Sequence, residues 1–404
     1  MPSVLTGLDV LSREPAKASF AGRRVGLLCH PASVAADLVH VVDRLIQLGV
    51  RPARLFGPEH GVRGEAQDMI GVDGATDART GIPVSSLYGS TFASLSPTAG
   101  DLAEIDVLVV DLQDVGSRYY TYIWTMGLAM KAAAAAGVTV VVLDRPNPLG
   151  GAAAAVEGGP VRPGFESFVG LGSVPVRHGL TIGEMARLIA RGISPGPPPF
   201  DRPLDLDVQV VPMQGWRRDM AFEETGLPWV LPSPNMPTVD TAFVYPGLCL
   251  VEGTNLSEGR GCTRPFEIVG APFLDGHQLA ADLAKMDLPG VVCRPLTLRP
   301  TFHKFAGQPC GGVQFHVTDR AAFRPLRTGI AFLLAARRQA PGQFNWRSEA
   351  YEFVSSTPAI DLLAGTDELR AGVEAGAPLA EVTASFALFQ REFVDRVRPL
   401  LLYS

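Results

Sequence analysis

The chain has 404 residues, of which 47% are hydrophobic and 19% charged, and its formal net charge is -6 at pH 7. A chain of this length is usually too long to fold around a single hydrophobic core, so we expect two domains. The mild acidity and the lack of a basic stripe argue against a nucleic-acid-binding protein.

The N-terminal sequence has no basic segment followed by an apolar stretch, as a secretory signal peptide would. The apolar runs are also too short for a transmembrane helix. We therefore expect a cytoplasmic protein. The five cysteines include no C-x-x-C pair, which predicts neither a disulfide framework nor a zinc site.

The first 150 residues alternate between apolar strand patterns and helical spacing. The predicted strands are Arg24–His30, Ala53–Gly57, Val84–Tyr88, Asp106–Leu112 and Thr139–Asp144. Helices are predicted at Val34–Leu48 and at Thr121–Ala136, the second ended by Gly137. Strands that alternate with helices indicate a parallel sheet with right-handed crossovers, so we expect an α/β fold with a Rossmann-like sheet.

The later part of the chain has a different pattern. Thr181 precedes Glu184 by three residues, a capping box before a helix at Met185–Arg191, and Val208–Val211 predicts a short strand. Beyond Thr241 the predicted elements are helices at His277–Met286, Leu326–Gln339 and Glu381–Leu401, with strands at Gly290–Arg294 and Gly312–Val317. We expect a Rossmann-like catalytic domain at 1–240 and a smaller α+β domain at 241–404 that closes the cleft.

Polar and ionisable side chains follow four of the predicted strands. Ligands of open parallel sheets bind outside the carboxyl ends of the strands, so these loops predict an active site. The richest loop carries Glu59, His60, Arg63 and Glu65 within seven residues, and its glycines let a ligand approach the backbone. The alternative is a turn with surface charges, tied by an ion pair of Arg63.

The loop after Asp106–Leu112 combines carboxylates with aromatic residues. Asp111 and Asp114 are either paired catalytic carboxylates or caps of the helix that follows. An aromatic cluster comes next, with Tyr119, Tyr120, Tyr122 and Trp124. Aromatic rings stack on sugars, although some of these must face the core, so we expect one or two ligand contacts.

A second glycine-rich acidic segment spans residues 252–261, near the domain junction, where ligand clefts are common. Within it, Glu258 and Arg260 are either site residues or a solvated pair. Arg177 and His178 precede a helix and are candidate donors to an anion, although a lone histidine there is more often structural.

Several enzyme classes are disfavoured by the motifs. The turn after the first strand has no G-x-G-x-x-G, and neither a G-x-S-x-G elbow nor a phosphate-binding loop is present. A metal-dependent hydrolase remains an alternative, with ligands drawn from His30, Glu59, His60, Asp111 and Asp114, although no H-x-x-x-H spacing supports it. A non-catalytic amino-sugar-binding protein is a further alternative. Glycoside hydrolysis fits best, since it needs carboxylic acids and no cofactor.

The chain resembles the exo-β-N-acetylmuramidase family of glycoside hydrolases in long motifs that run from about Gly26 to the C-terminus. They include LFGPEHGVRGEAQD, DLQDVGSRYYTYIWTM, DRPNPLGG, PSPNMPTVDTAFVYPGLCLVEGTNLSEGRGCTRPFE and FHKFAGQPCGGVQFHV. The resemblance implies a Rossmann-like domain and a smaller C-terminal domain with the site between them. It also implies release of non-reducing-end N-acetylmuramic acid (MurNAc) from peptidoglycan-derived fragments that join it to N-acetylglucosamine (GlcNAc). Together with the expected cytoplasmic location, this activity suggests a role in cell-wall recycling.

By the same resemblance, Glu59 of the PEHG motif is the general acid. The candidates for the second catalytic group are Glu65, Asp111, Asp114 and Glu258, and the acetamido oxygen of the substrate is an alternative nucleophile. An arginine suits the lactyl carboxylate of MurNAc. The candidates for that contact are Arg63, Arg118, Arg177 and Arg260.

Further substrate contacts are expected from polar and aromatic residues of these motifs and from the segment of Arg177 and His178. They are His60, Gln113, Tyr119, Tyr120, Asn147, His178, Asn235, Asn255 and Glu258. The expected partner is a peptidoglycan-derived disaccharide or muropeptide rather than nucleic acid or a membrane, and we expect neither a metal nor another cofactor.

Overall fold

The computed structural model describes residues 3–15, 20–63 and 76–404 of the chain. Glu65, one of the predicted catalytic residues, lies outside these described residues. No helix within them is long and apolar enough to cross a membrane.

A six-stranded parallel sheet forms the centre of the N-terminal part. Its strands are β1 (Val25–Cys29), β2 (Arg54–Gly57), β3 (Val84–Ser86), β4 (Val107–Asp111), β5 (Thr139–Leu143) and β6 (Val208–Val211). Their order across the sheet is β3-β2-β1-β4-β5-β6, and all neighbours run parallel. This is the strand order of Rossmann-like sheets, which confirms the predicted fold class.

The sheet is covered on both faces because its strands are apolar at successive positions. Leu27 pairs with Val109 and both belong to one hydrophobic core, whereas the next pair, Leu28 and Val110, belongs to the other. Side chains alternate between the faces of a strand, so near-continuous apolar runs supply two cores. This explains why β1 and β4 are buried along their whole length.

Five helices belong to the N-terminal part within the described residues. They are α1 (Gly7–Arg13), α2 (Val41–Gln47), α3 (Ala99–Ala103), α4 (Tyr122–Ala136) and α5 (Ile182–Arg191). Gly137 ends α4 in the left-handed conformation, as predicted, with φ of 67°. The capping box of Thr181 and Glu184 begins α5, also as predicted.

The prediction of a helix at Val34–Leu48 was wrong in its first half. Val34 forms an isolated bridge with His40, and Leu38 between them has a φ of 66°. The helix begins only at Val41, since the ring of His40 accepts a hydrogen bond from the backbone N–H of Val42 and caps it.

The C-terminal part is built on a three-stranded antiparallel sheet in the order β7-β9-β8. The strands are β7 (Ile268–Ala271), β8 (Val291–Leu298) and β9 (Cys310–Val317). The helices are α6 (Val239–Leu248), α7 (Gly276–Leu283), α8 (Pro325–Gln339), α9 (Ala359–Ala364), α10 (Glu368–Ala375), α11 (Leu379–Thr383) and α12 (Phe386–Val397). The boundary predicted at residues 240 and 241 falls in the first turn of α6.

The closing helix predicted at Glu381–Leu401 is two helices, α11 and α12, followed by a short 3-10 turn. The hydroxyl of Thr383 donates to the carbonyl of Leu379, a local bond that competes with helix continuation. Pro399 lies just beyond α12, where it has no N–H to extend the helix.

The two parts of the chain share one hydrophobic core. It includes Ile123 of α4 and Ile189 of α5 on the N-terminal side, together with Phe332 of α8 and Val244 of α6 on the C-terminal side. This shared core fixes the loops of one part against those of the other.

Candidate active site

A cleft with about 900 Å³ of empty space lies where residues from both parts meet. The residues that line it from the N-terminal part are Glu59, His60, Tyr119, Tyr120, Thr121, Tyr122, Val169, Ser233, Asn235 and Met236. Those from the C-terminal part are Tyr245, Glu252, Glu258, Arg260, Phe266, His303, Lys304, Arg347, Tyr351 and Glu352.

The loop after β2 places Glu59 on the wall of this cleft. Gly57 is packed so closely that a Cβ atom there would lie 3.2 Å from the backbone of Gly61. The loop turns back through left-handed conformations at His60 (φ 73°) and Gly61 (φ 77°). The tight turn therefore depends on the two glycines and presents Glu59 beyond the end of the strand.

Thr121 and Tyr122, at the start of α4, contact Glu59 from the other side. The hydroxyl of Thr121 lies 3.3 Å from Glu59 Oε2 and donates to it. The Tyr122 hydroxyl lies 3.4 Å from the Glu59 carbonyl oxygen and 2.6 Å from that of Pro232. The half-buried Glu59 carboxyl is thus held between the ends of β2 and β4.

Aromatic rings form a continuous wall of the cleft. Tyr120 packs edge-to-face on Tyr122 and Tyr245, with ring centroids 4.8 and 5.9 Å apart, and Tyr245 packs on Phe266 at 4.9 Å. Burial raises the pKa of the phenols of Tyr120 and Tyr245 well above its ordinary value, so both remain protonated. Such a wall offers ring faces and hydroxyl donors, which suits a sugar.

The cleft also carries a network of charged residues centred on Glu258, which is 1% exposed. Lys304 Nζ lies 2.9 Å from Glu258 Oε2, while His303 Nδ1 and Arg260 Nε lie 3.3 and 3.4 Å from Oε1. Burial opposes ionisation of Glu258, but the Lys304 charge, the His303 hydrogen bond and the Arg260 charge hold its pKa well below the usual range. Glu258 is therefore ionised.

Glu252 joins this network through two contacts. Its Oε1 lies 2.8 Å from Arg260 Nη2, and its Oε2 accepts a 2.7 Å hydrogen bond from the hydroxyl of Tyr351. Arg260 also lies over the ring of Phe266, with its Cζ 5.5 Å from the ring centroid. Glu252 and Glu258 are thus both bound to Arg260.

The cleft brings together seven of the predicted site residues. They are Glu59, His60, Tyr119, Tyr120, Asn235, Glu258 and Arg260. The remaining predicted residues that the structure describes do not line the cleft, and their contacts within the protein explain why.

Asp111 and Asp114 face protein partners. Asp111 is fully buried and binds Arg145 through two contacts, Nε–Oδ1 at 2.5 Å and Nη2–Oδ2 at 2.8 Å. Asp114 accepts a 2.6 Å hydrogen bond from the N–H of Gly116, and its Oδ2 lies 3.4 Å from Nε2 of the buried His178. These carboxylates hold the strand-end loops together.

Three of the four predicted arginines are also used inside the protein. Arg118 is fully buried and donates to the carbonyls of Gly159, Val174, Leu363 and Ala364 at 2.8–3.0 Å. Burial lowers its pKa to about 10. It therefore links segments of both parts of the chain.

Arg177 and Arg63 have similar internal roles. Arg177 Nη2 donates a 2.6 Å hydrogen bond to the carbonyl of Leu149. Arg63 binds Asp77 through contacts of 3.0 and 3.2 Å. Arg260 is thus the member of the predicted set of four that lines the cleft.

The three remaining predicted amides bind the backbone. Gln113 donates to the carbonyls of Asp114 and Pro146, and Asn147 donates to that of Leu180. Asn255 donates to the carbonyl of Gln343 and accepts from the N–H of Asn345. Each amide fixes a loop near the cleft but does not line it.

The residues considered as metal ligands do not converge. His30 is fully buried, and its Nε2 accepts a 2.8 Å hydrogen bond from the backbone N–H of Gln113. Burial holds the pKa of His30 well below its ordinary value. In residues 3–15, 20–63 and 76–404, no group of three or more His, Cys, Asp or Glu side chains is arranged to hold a metal ion.

Sequence analysis did not identify several cleft residues of the C-terminal part. They are Tyr245, Glu252, Phe266, His303, Lys304, Arg347, Tyr351 and Glu352. All of these except Arg347, Tyr351 and Glu352 lie in the motifs that resemble the family. They do not follow strands of the parallel sheet, so the rule that ligands bind beyond strand ends does not identify them. Positive φ values at His303 (68°) and Glu352 (47°) mark loops whose shape is unusual for residues other than glycine.

Two family models match the chain along most of its length. The model described as "Exo-beta-N-acetylmuramidase NamZ, N-terminal" matches residues 25–240, and its C-terminal counterpart matches residues 243–403. The chain belongs to the exo-β-N-acetylmuramidase family. The resemblance seen in the motifs is thus confirmed, and the enzyme class of this family is that of the glycosidases.

One relative in the family is the peptidoglycan beta-N-acetylmuramidase NamZ of Bacillus subtilis (strain 168). It is 43% identical over 403 residues, which cover 100% of this chain and 92% of the relative. Two crystal structures of DUF1343 family proteins from Bacteroides fragilis have the same fold. Their TM-scores are 0.88 and 0.77 at 33% and 27% identity, covering 100% and 99% of both chains.

Proposed function

We propose that this member of the family releases N-acetylmuramic acid from the non-reducing end of peptidoglycan-derived MurNAc-GlcNAc fragments, with Glu59 as general acid. The observation that carries the proposal is the position of Glu59, beyond the end of β2 and on the wall of a cleft that also carries aromatic and cationic side chains. The name of the Bacillus subtilis relative supports the substrate class. Recovery of cell-wall sugars is the role that follows from this activity.

The acid role of Glu59 rests on its placement. A general acid in glycoside hydrolysis protonates the leaving oxygen, so its carboxyl must face the bound sugar from a fixed position. The contacts of Glu59 with Thr121 and Tyr122 supply that fixed position. Such bonds tighten in the complex with substrate, so the length of 3.3 Å in the free protein is compatible with the role.

Glu258 is our candidate for the second catalytic group. Of the predicted set, Asp111 and Asp114 are bound within the protein and Glu65 lies outside the described residues. An ionised Glu258 stabilises positive charge at the anomeric carbon, but it has no proton to donate, and its lowered pKa makes it a weak base. The acetamido oxygen of the substrate is the alternative nucleophile, and Glu258 then serves to orient the sugar.

The aromatic and cationic side chains of the cleft suit the proposed substrate. Pyranose rings carry apolar C–H faces, which stack on aromatic rings such as those of Tyr119 and Tyr120. MurNAc also carries a lactyl carboxylate, and the cleft is lined by the cationic side chains of Arg260, Lys304 and Arg347. We propose that residues 241–404 act as a domain that closes over the sugar and supplies these cations.

The proposal is tested with two disaccharides that differ only in order, MurNAc-GlcNAc and GlcNAc-MurNAc. Chromatography of the products should show free MurNAc and GlcNAc from the first and no cleavage of the second. Longer glycans that begin with MurNAc should lose that one MurNAc and then resist further cleavage, because they then begin with GlcNAc. Cleavage of GlcNAc-MurNAc at a similar rate, or internal cleavage of the longer glycans, would contradict the proposal.

A further inference from the structure

The cations of the cleft differ in whether a carboxylate neutralises them. Lys304 and Arg260 lie 2.9 and 3.4 Å from Glu258, and Arg260 also binds Glu252. Arg347 lines the same cleft but forms no ion pair with any carboxylate of residues 3–15, 20–63 and 76–404. A half-buried cation with no protein counter-charge favours an anionic ligand.

The side chain of Arg347 is held in place by two neighbours. Its Nη2 donates a 3.1 Å hydrogen bond to the carbonyl of Ala350, and its Cζ lies 4.9 Å from the centroid of the Tyr351 ring. Its backbone N–H donates a 2.9 Å hydrogen bond to the carbonyl of Gly253. The guanidinium is therefore oriented before any ligand binds, which lowers the entropic cost of binding.

The ring under Arg347 is itself fixed. Tyr351 is 5% exposed, and its hydroxyl donates a 2.7 Å hydrogen bond to the carboxylate of Glu252. The same carboxylate also binds Arg260. A guanidinium has five N–H donors, and one of those of Arg347 is used by Ala350. The other N–H groups of the guanidinium have no acceptor among the residues described. A planar carboxylate, with its two oxygens, fits these remaining donors.

We propose that Arg347, stacked on Tyr351, forms a carboxylate subsite that binds the lactyl group of MurNAc and sets the preference for MurNAc over GlcNAc. This rests on the proposed function, because the two sugars differ by that lactyl ether. Arg260 instead serves mainly to hold Glu252 and Glu258, since both of these carboxylates bind it. Arg347 acts here as a specificity residue and takes no part in bond cleavage.

The test compares Arg347→Gln and Arg347→Lys with the native protein on MurNAc and GlcNAc glycosides that share one chromogenic leaving group. Loss of a charge-assisted contact should lower kcat/KM for the MurNAc glycoside by about 10- to 100-fold and leave that for the GlcNAc glycoside unchanged. Lysine keeps the charge but lacks the planar guanidinium that binds two carboxylate oxygens, so the loss of kcat/KM in Arg347→Lys should be intermediate. Arg337→Gln is the control, because Arg337 also lies over a ring, that of Phe344, but outside the cleft.

Calorimetry with free MurNAc and free GlcNAc gives a readout that does not depend on turnover. The native protein should bind MurNAc more tightly, and Arg347→Gln should bind the two sugars alike. Equal loss on both sugars, or unchanged selectivity in a folded Arg347→Gln protein, would overturn the subsite. A native protein without any preference for MurNAc would instead contradict the proposed function.

Discussion

Thr121 donates a 3.3 Å hydrogen bond to the carboxyl of Glu59, across the gap between the end of β2 and the start of α4. The contact joins two strand-end loops, although Glu59 and Thr121 are 62 residues apart in the sequence. It places the proposed acid in a defined orientation, and its geometry leads to a first prediction.

Thr121→Val should lower kcat by about 2- to 10-fold, since it removes a hydroxyl but keeps the shape of the side chain. Thr121→Ser retains the donor and should stay close to native. Turnover of a chromogenic MurNAc glycoside measures both. Native kcat in Thr121→Val would show that this hydroxyl does not help to position Glu59.

Lys304→Met should destabilise the fold, because it leaves the buried Glu258 with fewer cationic partners. We expect a loss of about 2 kcal/mol in the free energy of unfolding at pH 7, measured by urea denaturation. Lys285→Met is the control, since Lys285 pairs with Asp282 at the surface with 71% of its side chain exposed. Equal effects of the two substitutions would contradict a special role for the Glu258 network.

The same network predicts a pH dependence with a definite sign. The pKa of Glu258 in the folded protein lies below its ordinary value of 4.5, so the folded state favours the ionised form. Its contribution to stability is therefore present above pH 4.5 and is lost as the pH falls through the folded-state pKa. The stability difference between native and Lys304→Met should shrink below pH 4.5. A difference that grows toward acid pH would contradict this account.

Asp111→Asn should reduce stability far more than turnover. The substitution leaves Arg145 buried without its counter-charge, which costs about 3–5 kcal/mol. Because Asp111 does not line the cleft, kcat per folded molecule should remain near native. Asp395→Asn, in an exposed pair with Arg398, is the control and should change little. Lost turnover in a stable Asp111→Asn protein would return Asp111 to the catalytic candidates.

Much of the fold was predictable from periodicity. The apolar runs at β1, β4 and β5 predicted the parallel sheet, and Gly137 predicted the end of α4. The turn before α2 was not predicted, since its residues have helical spacing while the bridge between Val34 and His40 depends on the folded chain.

The candidate site was only partly predictable, for a physical reason. Sequence places Glu59 at a strand end, but it does not show which charged residues find partners elsewhere. Arg118 was predicted to bind substrate, yet its guanidinium binds the carbonyl of Leu363, 245 residues away. Lys304 and Arg347 were missed because they come from loops of the C-terminal part rather than from strand ends.

The most direct test of the central claim is the turnover of Glu59→Gln on a chromogenic MurNAc glycoside, with thermal unfolding measured in parallel. Glutamine keeps the shape of Glu59 and its contact with Thr121 but has no acidic proton. We predict a loss of about 100- to 10,000-fold in kcat with little change in Tm. Turnover near the native value in a folded Glu59→Gln protein would contradict the assignment of Glu59 as the general acid.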